Sequence, residues 1–473
     1  MGVRCDILCS RSPGETRFAV IEDGRVAEVV IARDGRAEVG SIHRGRVVGR
    51  APGLDAVFVE IGDVLPGFLA AEDARSVHPD PLREGEAVLA QVTGAAHGDK
   101  GAKLTLAVSL PGPEFVYGPF RPGVAVSRRV ADAEERHRLL ALTRSLAMAD
   151  EGLVARSRAA GADPTRLEAA VAALRRRWRQ VTERLALPPP VCLDPGRHPL
   201  LDTLARLDTL EREDAETVRL LCGTPDLAAS MRLLCREWAP ALEARVAPHR
   251  GEDLFRLHGV EAAIEEALEP VVLLAGGGRL RIEPTAAVVT IDVDSGGAGR
   301  GPLAVNREAA AEIARQIRLR NLSGHMVVDF IGLRSDKDLR RVVAVLRQAL
   351  AGDAAQVAGP TPFGLVEVVR ERRRPPLAEF LCDAGAPRPP DPSVAAVALE
   401  ALRAVLREAE ALRVAGLGLL VSPEVAAALR GPLRPALEEA EGELGQRLDL
   451  QVDTKAARHR FEVRTGMGGK ERT

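Results

Sequence analysis

Three carboxylates in two apolar stretches carry the strongest chemical signal in this chain. Thr290-Ile-Asp-Val-Asp-Ser-Gly-Gly297 reads as a strand ending in Asp292 and Asp294, and Val327-Val-Asp-Phe-Ile331 reads as a second strand carrying Asp329. Residues i and i+2 of a strand point to one face, so Asp292 and Asp294 are expected to project together. The segment between the two strands has helical apolar spacing, and a right-handed strand–helix–strand crossover makes its strands parallel. All three carboxylates then lie toward the C-terminal ends of their strands, where open α/β sheets bind ligands. Carboxylates this close repel one another unless a cation or a proton intervenes. Oxygen donors without His or Cys favour Mg2+ or Mn2+. These residues point to a magnesium site suited to phosphate chemistry. Acidic residues at strand ends also serve as turn formers and helix caps, so the rest of the chain has to weigh between the two readings.

At 473 residues the chain has room for two to four domains. Its formal net charge is only −2, yet sixty of its 65 basic residues are arginine. The planar guanidinium fork suits phosphate recognition, although a genome-wide preference for Arg codons accounts for the count equally well. Near-neutral net charge does not exclude RNA as a partner, because local patches guide a polyanion. The six cysteines (Cys5, Cys9, Cys192, Cys222, Cys235 and Cys382) include no Cys-x-x-Cys pair. That argues against a zinc knuckle or a disulfide framework and suits a reducing compartment. The N-terminus lacks a signal-peptide apolar core and no apolar run is long enough to span a bilayer, so a cytoplasmic protein is expected.

The elements that must position the acids follow in chain order. Residues 1–38 alternate as strands: one near Val3 to Cys9, then a hairpin of Arg17–Ile21 and Val26–Ile31 around Glu22-Asp-Gly24. Residues 39–110 hold short strands separated by glycine turns, the pattern of a small barrel. The order "GRVV…DAVFVEIG…GFL…GEAVLAQV" resembles an S1-type OB-fold domain. Such barrels bind single-stranded nucleic acid by stacking bases on aromatics in a basic groove. Phe58 and Phe68 are the aromatics at the corresponding positions, with Lys100 and Lys103 as nearby charge; core packing is the alternative role for the two rings. Residues 111–199 include a helix over Pro164–Leu185 with clustered arginines, read as a solvated face. Residues 200–270 are expected to be mostly helical. A helix over Asn306–Asn321 places Ala310, Ile313 and Ile317 on an apolar stripe, leaving Arg315, Arg318 and Arg320 to face RNA or water. A helix over Ser335–Leu350 and a strand over Pro362–Arg370 come next. Residues 383–392 read as a proline-rich linker. Beyond them lies a small α+β module, with strands over Leu417–Val421, Leu448–Val452 and Phe461–Arg464.

Across "TIDVDSG…NREAAAEIARQIRLRNLSGHMVVDFI", "FGLVEVVRERRRPPL" and "RHRFEVR" the chain resembles the ribonuclease E/ribonuclease G family of bacterial endoribonucleases. The resemblance implies a multidomain α+β and α/β protein. Its parts are an RNase H-like subdomain (1–38 and 200–270), the S1-like OB-fold barrel (39–110), a 5′-sensor region (111–199), a DNase I-like catalytic subdomain (271–382), the linker (383–392) and a small C-terminal domain (393–473). It further implies Mg2+-dependent hydrolysis of single-stranded RNA in rRNA maturation or mRNA decay, leaving 5′-phosphate and 3′-hydroxyl ends. Asp292 and Asp329 are then the metal ligands. Phe58, Phe68 and Lys100 contact RNA. Arg156-Ser157 senses a substrate 5′-monophosphate, with a backbone contact near Val116.

Two positions depart from the family pattern. Asp294 stands where Asn is usual; an ionised Asp cannot donate the orienting hydrogen bond, so it is expected either to join the metal or to share a proton with Asp292. Activity is expected to be retained, with an altered metal preference. The usual Cys-Pro-x-Cys zinc link between two chains is reduced to Cys382, and one thiolate per chain falls short of a four-ligand zinc site. No zinc is expected, and any homodimer or higher homo-oligomer would form without it. The chain resembles the short, ribonuclease G-like form without a scaffold tail for other RNA-decay proteins. An RNA-binding paralogue with weakened catalysis is the competing reading. A nucleotide-binding role for Ser295–Gly301 fares poorly, because that loop lacks the Gly-Lys-Ser/Thr ending of a P-loop.

Overall fold

The computed structural model describes the chain except residues 1–4, 76, 97–99, 197, 202, 205–206, 208–217, 252, 286, 298, 354, 383–391, 413–415 and 466–473. Two compact units emerge: residues 1–34, 209–232 and 242–473 form one, and residues 35–208 and 233–241 form the other.

The first unit begins with an antiparallel meander of β1 (Cys5–Ser12), β2 (Glu15–Glu22) and β3 (Arg25–Arg33). Asp23 and Gly24 both take positive φ, 49° and 79°, as a two-residue type I′ hairpin turn requires.

The second unit opens with β4 (Ile42–Arg50), β5 (Ala56–Glu60), β6 (Gly67–Ala70), β7 (Ala87–Gly94) and β8 (Lys103–Thr105). The pairings run β4-β5-β6-β8-β7, and β7 returns to β4, so the sheet closes into a five-stranded barrel consistent with an OB-fold. A four-stranded sheet follows, in the order β11-β12-β10-β9, built from β9 (Leu110–Pro111), β10 (Phe115–Gly118), β11 (Gly123–Val126) and β12 (Gly152–Ala155). Helices α1 (Ala133–Leu146) and α2 (Pro164–Glu183), each started by an aspartate cap, pack with it around Leu139, Leu153, Leu167 and Val171. The arginine cluster of α2 is only partly a solvated face. Arg175 binds the Glu151 carboxylate and Arg177 binds Asp194, while Trp178 packs edge-on against Phe120. Strand β13 (Val191–Asp194) pairs with β4.

Back in the first unit, β14 (Val218–Cys222) lies parallel to β1, and β15 (Val246–Pro248) lies parallel to β14, completing a sheet ordered β15-β14-β1-β2-β3. The expectation of a mostly helical 200–270 is therefore corrected. Helices α3 (Pro225–Trp238) and α4 (Val260–Leu268) are present, but β14 precedes them and β15 separates them. Val-Arg-Leu-Leu-Cys is a short apolar run that periodicity alone cannot separate from buried helix.

The next sheet holds β16 (Val271–Leu273), β17 (Arg279–Pro284), β18 (Val289–Asp294), β19 (Gly324–Asp329), β20 (Ala355–Pro360) and β21 (Val366–Arg370), in the order β16-β17-β18-β19-β21-β20. Only β18 and β19 are parallel, because helix α5 (Pro302–Leu319) makes the crossover between them. The helix starts at Pro302, earlier than its apolar stripe suggests, because proline is suited to a first helical position. Helix α6 (Asp336–Ala349) is capped by Ser335. Ile291, Val293, Met326 and Val328 pack one face of the sheet against Ile313, Ile317, Val342 and Leu346 of the helices. The residues between them along each strand leave the other face polar and open. Residues 361–365 turn, bonded from Thr361 N to Leu365 O at 2.7 Å, so the strand expected over 362–370 begins only at Val366, and β20 was not anticipated.

The small module contains α7 (Val394–Leu412), β22 (Gly418–Val421), α8 (Pro423–Arg430), α9 (Arg434–Leu444), β23 (Asp449–Val452) and β24 (Phe461–Arg464). Most of the expected linker lies outside the described residues. No helix among the described residues is long and apolar enough to cross a membrane.

Candidate active site

Sheet register builds the site. Asp292 of β18 and Asp329 of β19 are Cα partners in the parallel pair. In-register neighbours on adjacent strands, about 4.8 Å apart, present their side chains to the same face. Both carboxylates are on the open face, both are exposed, and neither has a hydrogen-bond or ion-pair partner among the described residues. On the other side of Asp292, antiparallel β17 supplies Arg281 as its register partner. A row Arg281–Asp292–Asp329 therefore runs across three strands.

Asp294 has a different setting. Its register partner is Arg279, whose Nη2 and Nε donate to Oδ2 at 2.5 and 3.1 Å, while the Gly296 amide donates to Oδ1 at 2.8 Å. The Gly296 amide, and after it the Arg279 guanidinium, hold this carboxyl below its ordinary range. Asp294 thus anchors the following loop. Gly296 is required there: its φ is +58°, and a Cβ would meet the Gly277 carbonyl oxygen at 2.4 Å.

Among the described residues, no three His, Cys, Asp or Glu side chains converge as a metal cluster. A cation here would rest on Asp292 and Asp329, with water and substrate oxygens as its other ligands. That partial, all-oxygen donor set fits Mg2+, which keeps several waters when bound by one or two carboxylates.

Two residues that sequence reasoning overlooked hold the strands in place. Asn306 of α5 is fully buried, and its side chain donates to the Ile331 carbonyl (2.7 Å) and accepts from the Ile331 amide (3.1 Å). It clamps the chain two residues beyond Asp329. Arg370 of β21 is buried, bidentate to Asp353 at 2.7 and 3.0 Å, and donates to Asn321 Oδ1 and the Leu322 carbonyl. A buried asparagine inside an apolar helical stripe was the visible signal for the first. Nothing local marked the second.

Three arginines at the C-terminal end of α5 are tied into the fold, whereas Arg307 near its start is exposed. Arg315 binds Glu312 and the Val26 carbonyl, and Arg318 is bidentate to Glu22 at 2.6 and 2.7 Å. Arg320 is buried and donates to Gln316 at 2.6 Å. They tie the helix to the β2–β3 hairpin and to itself.

In the barrel, Phe58 and Phe68 are register partners on β5 and β6, half-buried, with ring centroids 6.2 Å apart in an edge-to-face pair. Lys103 is the register partner of Phe68 on β8, and Lys100 is exposed nearby in sequence. In the neighbouring sheet, Arg156 follows β12, and its Nη1 donates to the Gly112 carbonyl at 2.6 Å. Ser157 is exposed, and its hydroxyl has no partner among the described residues. The Arg156 amide donates to Glu114 O at 2.7 Å. Antiparallel alternation then aims the Val116 amide at Val154, its register partner. That amide is engaged within the sheet.

Cys382 is buried. No disulfide is formed among the described cysteines.

A family model described as the Ribonuclease E/G family matches residues 109–373. Ribonuclease G of Salmonella typhimurium is 32% identical over 489 residues, covering 97% of this chain and 99% of that protein. Ribonuclease G of Haemophilus influenzae is 34% identical over 408 residues, covering 80% of this chain and 82% of its own length. Ribonuclease E of a Nostoc species is 32% identical over 387 residues, covering 77% of this chain and 56% of the relative.

Proposed function

The chain belongs to the ribonuclease E/G family and is an endoribonuclease; from this premise we propose that it hydrolyses single-stranded RNA with Mg2+ (Mn2+ as substitute), leaving a 5′-phosphate and a 3′-hydroxyl. The observation that carries the proposal is the register pairing of Asp292 with Asp329, two unpartnered carboxylates side by side on an open sheet face. These two residues would hold the cation. When bound, Mg2+ supplies activation of water and offsets charge on the scissile phosphate. Asp294, held by Arg279 and Gly296, keeps the loop after β18 in one arrangement and so fixes the direction of Asp292.

Phe58 and Phe68 offer ring surface on which successive bases stack, and Lys100 adds phosphate attraction. The exposed Ser157 hydroxyl and the anchored Arg156 guanidinium are suited to a 5′-monophosphate, which accepts charge-assisted hydrogen bonds. The engaged amide of Val116 leaves that residue a role as a wall of the pocket. The sheet order β15-β14-β1-β2-β3, with β1, β2 and β3 antiparallel and β14 and β15 parallel to β1, supports the RNase H-like reading of 1–38 and 200–270. The polar-faced sheet of 271–382 supports the DNase I-like one. A cytoplasmic role in rRNA maturation or mRNA decay, and self-association through the small module without zinc, complete the proposal.

The test is end-group analysis of cleaved RNA. An AU-rich oligonucleotide bearing a 5′-monophosphate should yield downstream fragments ligatable through a 5′-phosphate, and faster than its 5′-hydroxyl twin. Fragments ending in 2′,3′-cyclic phosphate would overturn the proposed chemistry. Binding without cleavage would favour a weakened RNA-binding paralogue.

A further inference from the structure

We infer that Arg281 is a further residue of the active site and contacts the phosphate at which RNA is cut. The inference rests on the reading of Asp292 and Asp329 as the cleavage site. Arg281 is the Cα partner of Asp292 on β17, so its side chain rises from the same open face, one strand away from Asp292 and two from Asp329. A phosphodiester brought over two carboxylates needs positive charge beside them, and guanidinium matches phosphate oxygens with a planar fork.

Five arginines of this unit are committed elsewhere. Arg279 is hydrogen-bonded to Asp294, and Arg315, Arg318, Arg320 and Arg370 are tied to carboxylates, amides or carbonyls. Among the described residues Arg281 has only a loose ion pair to Glu283, at 3.7 Å, and its side chain is 55% exposed. That contact is too long for a hydrogen bond, so turning toward a substrate phosphate forfeits little. The pair also explains the division of labour along β17. Arg279 neutralises Asp294 and fixes the loop, whereas Arg281, one pleat further along, is left to the substrate.

The experiment uses the full chain and a 5′-monophosphorylated oligonucleotide whose cleavage site has been mapped. Arg281→Ala should lower kcat/KM by roughly 10- to 100-fold, mainly through kcat, as expected for one lost electrostatic contact to the reacting group. Arg281→Lys should recover part of the loss, and neither variant should shift the melting temperature. A second readout needs no catalysis. With metal chelated, RNA binding is measured by fluorescence anisotropy for natural RNA and for RNA with one neutral methylphosphonate at the cleavage site. If Arg281 touches that phosphate, the effects of Arg281→Ala and of the methylphosphonate should depart from multiplicativity by about threefold or more. Multiplicative effects, or a kcat/KM within twofold of the parent, overturn the assignment of Arg281. An Asp329→Asn variant that still cleaves overturns the underlying site instead, and so separates the two failures.

Discussion

Asp292, Asp329 and Asp294 share a residue type but differ in what their oxygens already touch. The first two are unpartnered on the open face. The third is spent on Arg279 and Gly296. Asp292→Asn and Asp329→Asn should therefore each abolish cleavage, whereas Asp294→Asn removes one exposed ion pair. Such exposed pairs contribute little, so Asp294→Asn should cleave within roughly tenfold of the parent, with the same ratio of rates in Mg2+ and Mn2+. Steady-state cleavage in both metals checks this, and a changed metal preference would show that Asp294 reaches the cation after all. The acids and their spacing were legible in the sequence. Their difference was not, because the partner of Asp294 comes from an antiparallel strand whose register no local pattern encodes.

Elements hold these side chains through contacts that a stripe or an alternation does not display. Asn306 is a polar residue fully buried inside an apolar helical face, satisfied only because β19 passes beside it. Asn306→Leu leaves the Ile331 amide and carbonyl without those bonds and should cost about 1–3 kcal/mol, read as a lower denaturant midpoint with unchanged slope. In the other unit, half-buried His198 accepts from the Leu200 amide through Nδ1 at 3.2 Å, and loss of solvent around the ring pushes its pKa down to about 4. Its folded pKa lies below the ordinary 6.5, so protonation favours the unfolded chain. The resulting stability is present above pH 6.5 and is lost as pH falls toward 4. His198→Gln should flatten the pH dependence of unfolding in that window, and an unchanged slope would contradict it. The small barrel and the strand–helix–strand unit were readable because their alternation and spacing are local. The strands β14, β15 and β20 were not, because short apolar runs take their identity from neighbours distant in sequence.

At the scale of the molecule, the first unit draws on both ends of the chain. Arg403 of α7, buried in the small module, binds Glu15 at the start of β2, and Arg11 at the end of β1 binds both Asp34 and Glu439. These ion pairs seat the small module on the N-terminal meander. Arg403→Ala removes one partner of the buried Glu15 carboxylate, which keeps Arg33 at 3.3 Å, and should destabilise by about 1–3 kcal/mol. Unfolding melts check this. With Cys382 the lone thiol of its region, purified protein should contain substoichiometric zinc by elemental analysis. The order of parts along the chain was visible from composition and motifs. That residues on either side of the barrel and its neighbouring sheet rejoin in one sheet was visible only through family resemblance, since the pairing of β1 with β14 spans some 200 residues of intervening chain.

The central claim is that the Asp292–Asp329 pair holds the cation required for RNA cleavage. The most direct measurement is a Mg2+ titration of cleavage of a 5′-monophosphorylated AU-rich oligonucleotide by the parent and by Asp329→Ala, with RNA binding measured alongside. The account predicts saturable, Mg2+-dependent cleavage by the parent, and loss of cleavage in Asp329→Ala with RNA binding retained. Cleavage that persists in Asp329→Ala, or that is indifferent to Mg2+ and its chelation, would contradict it.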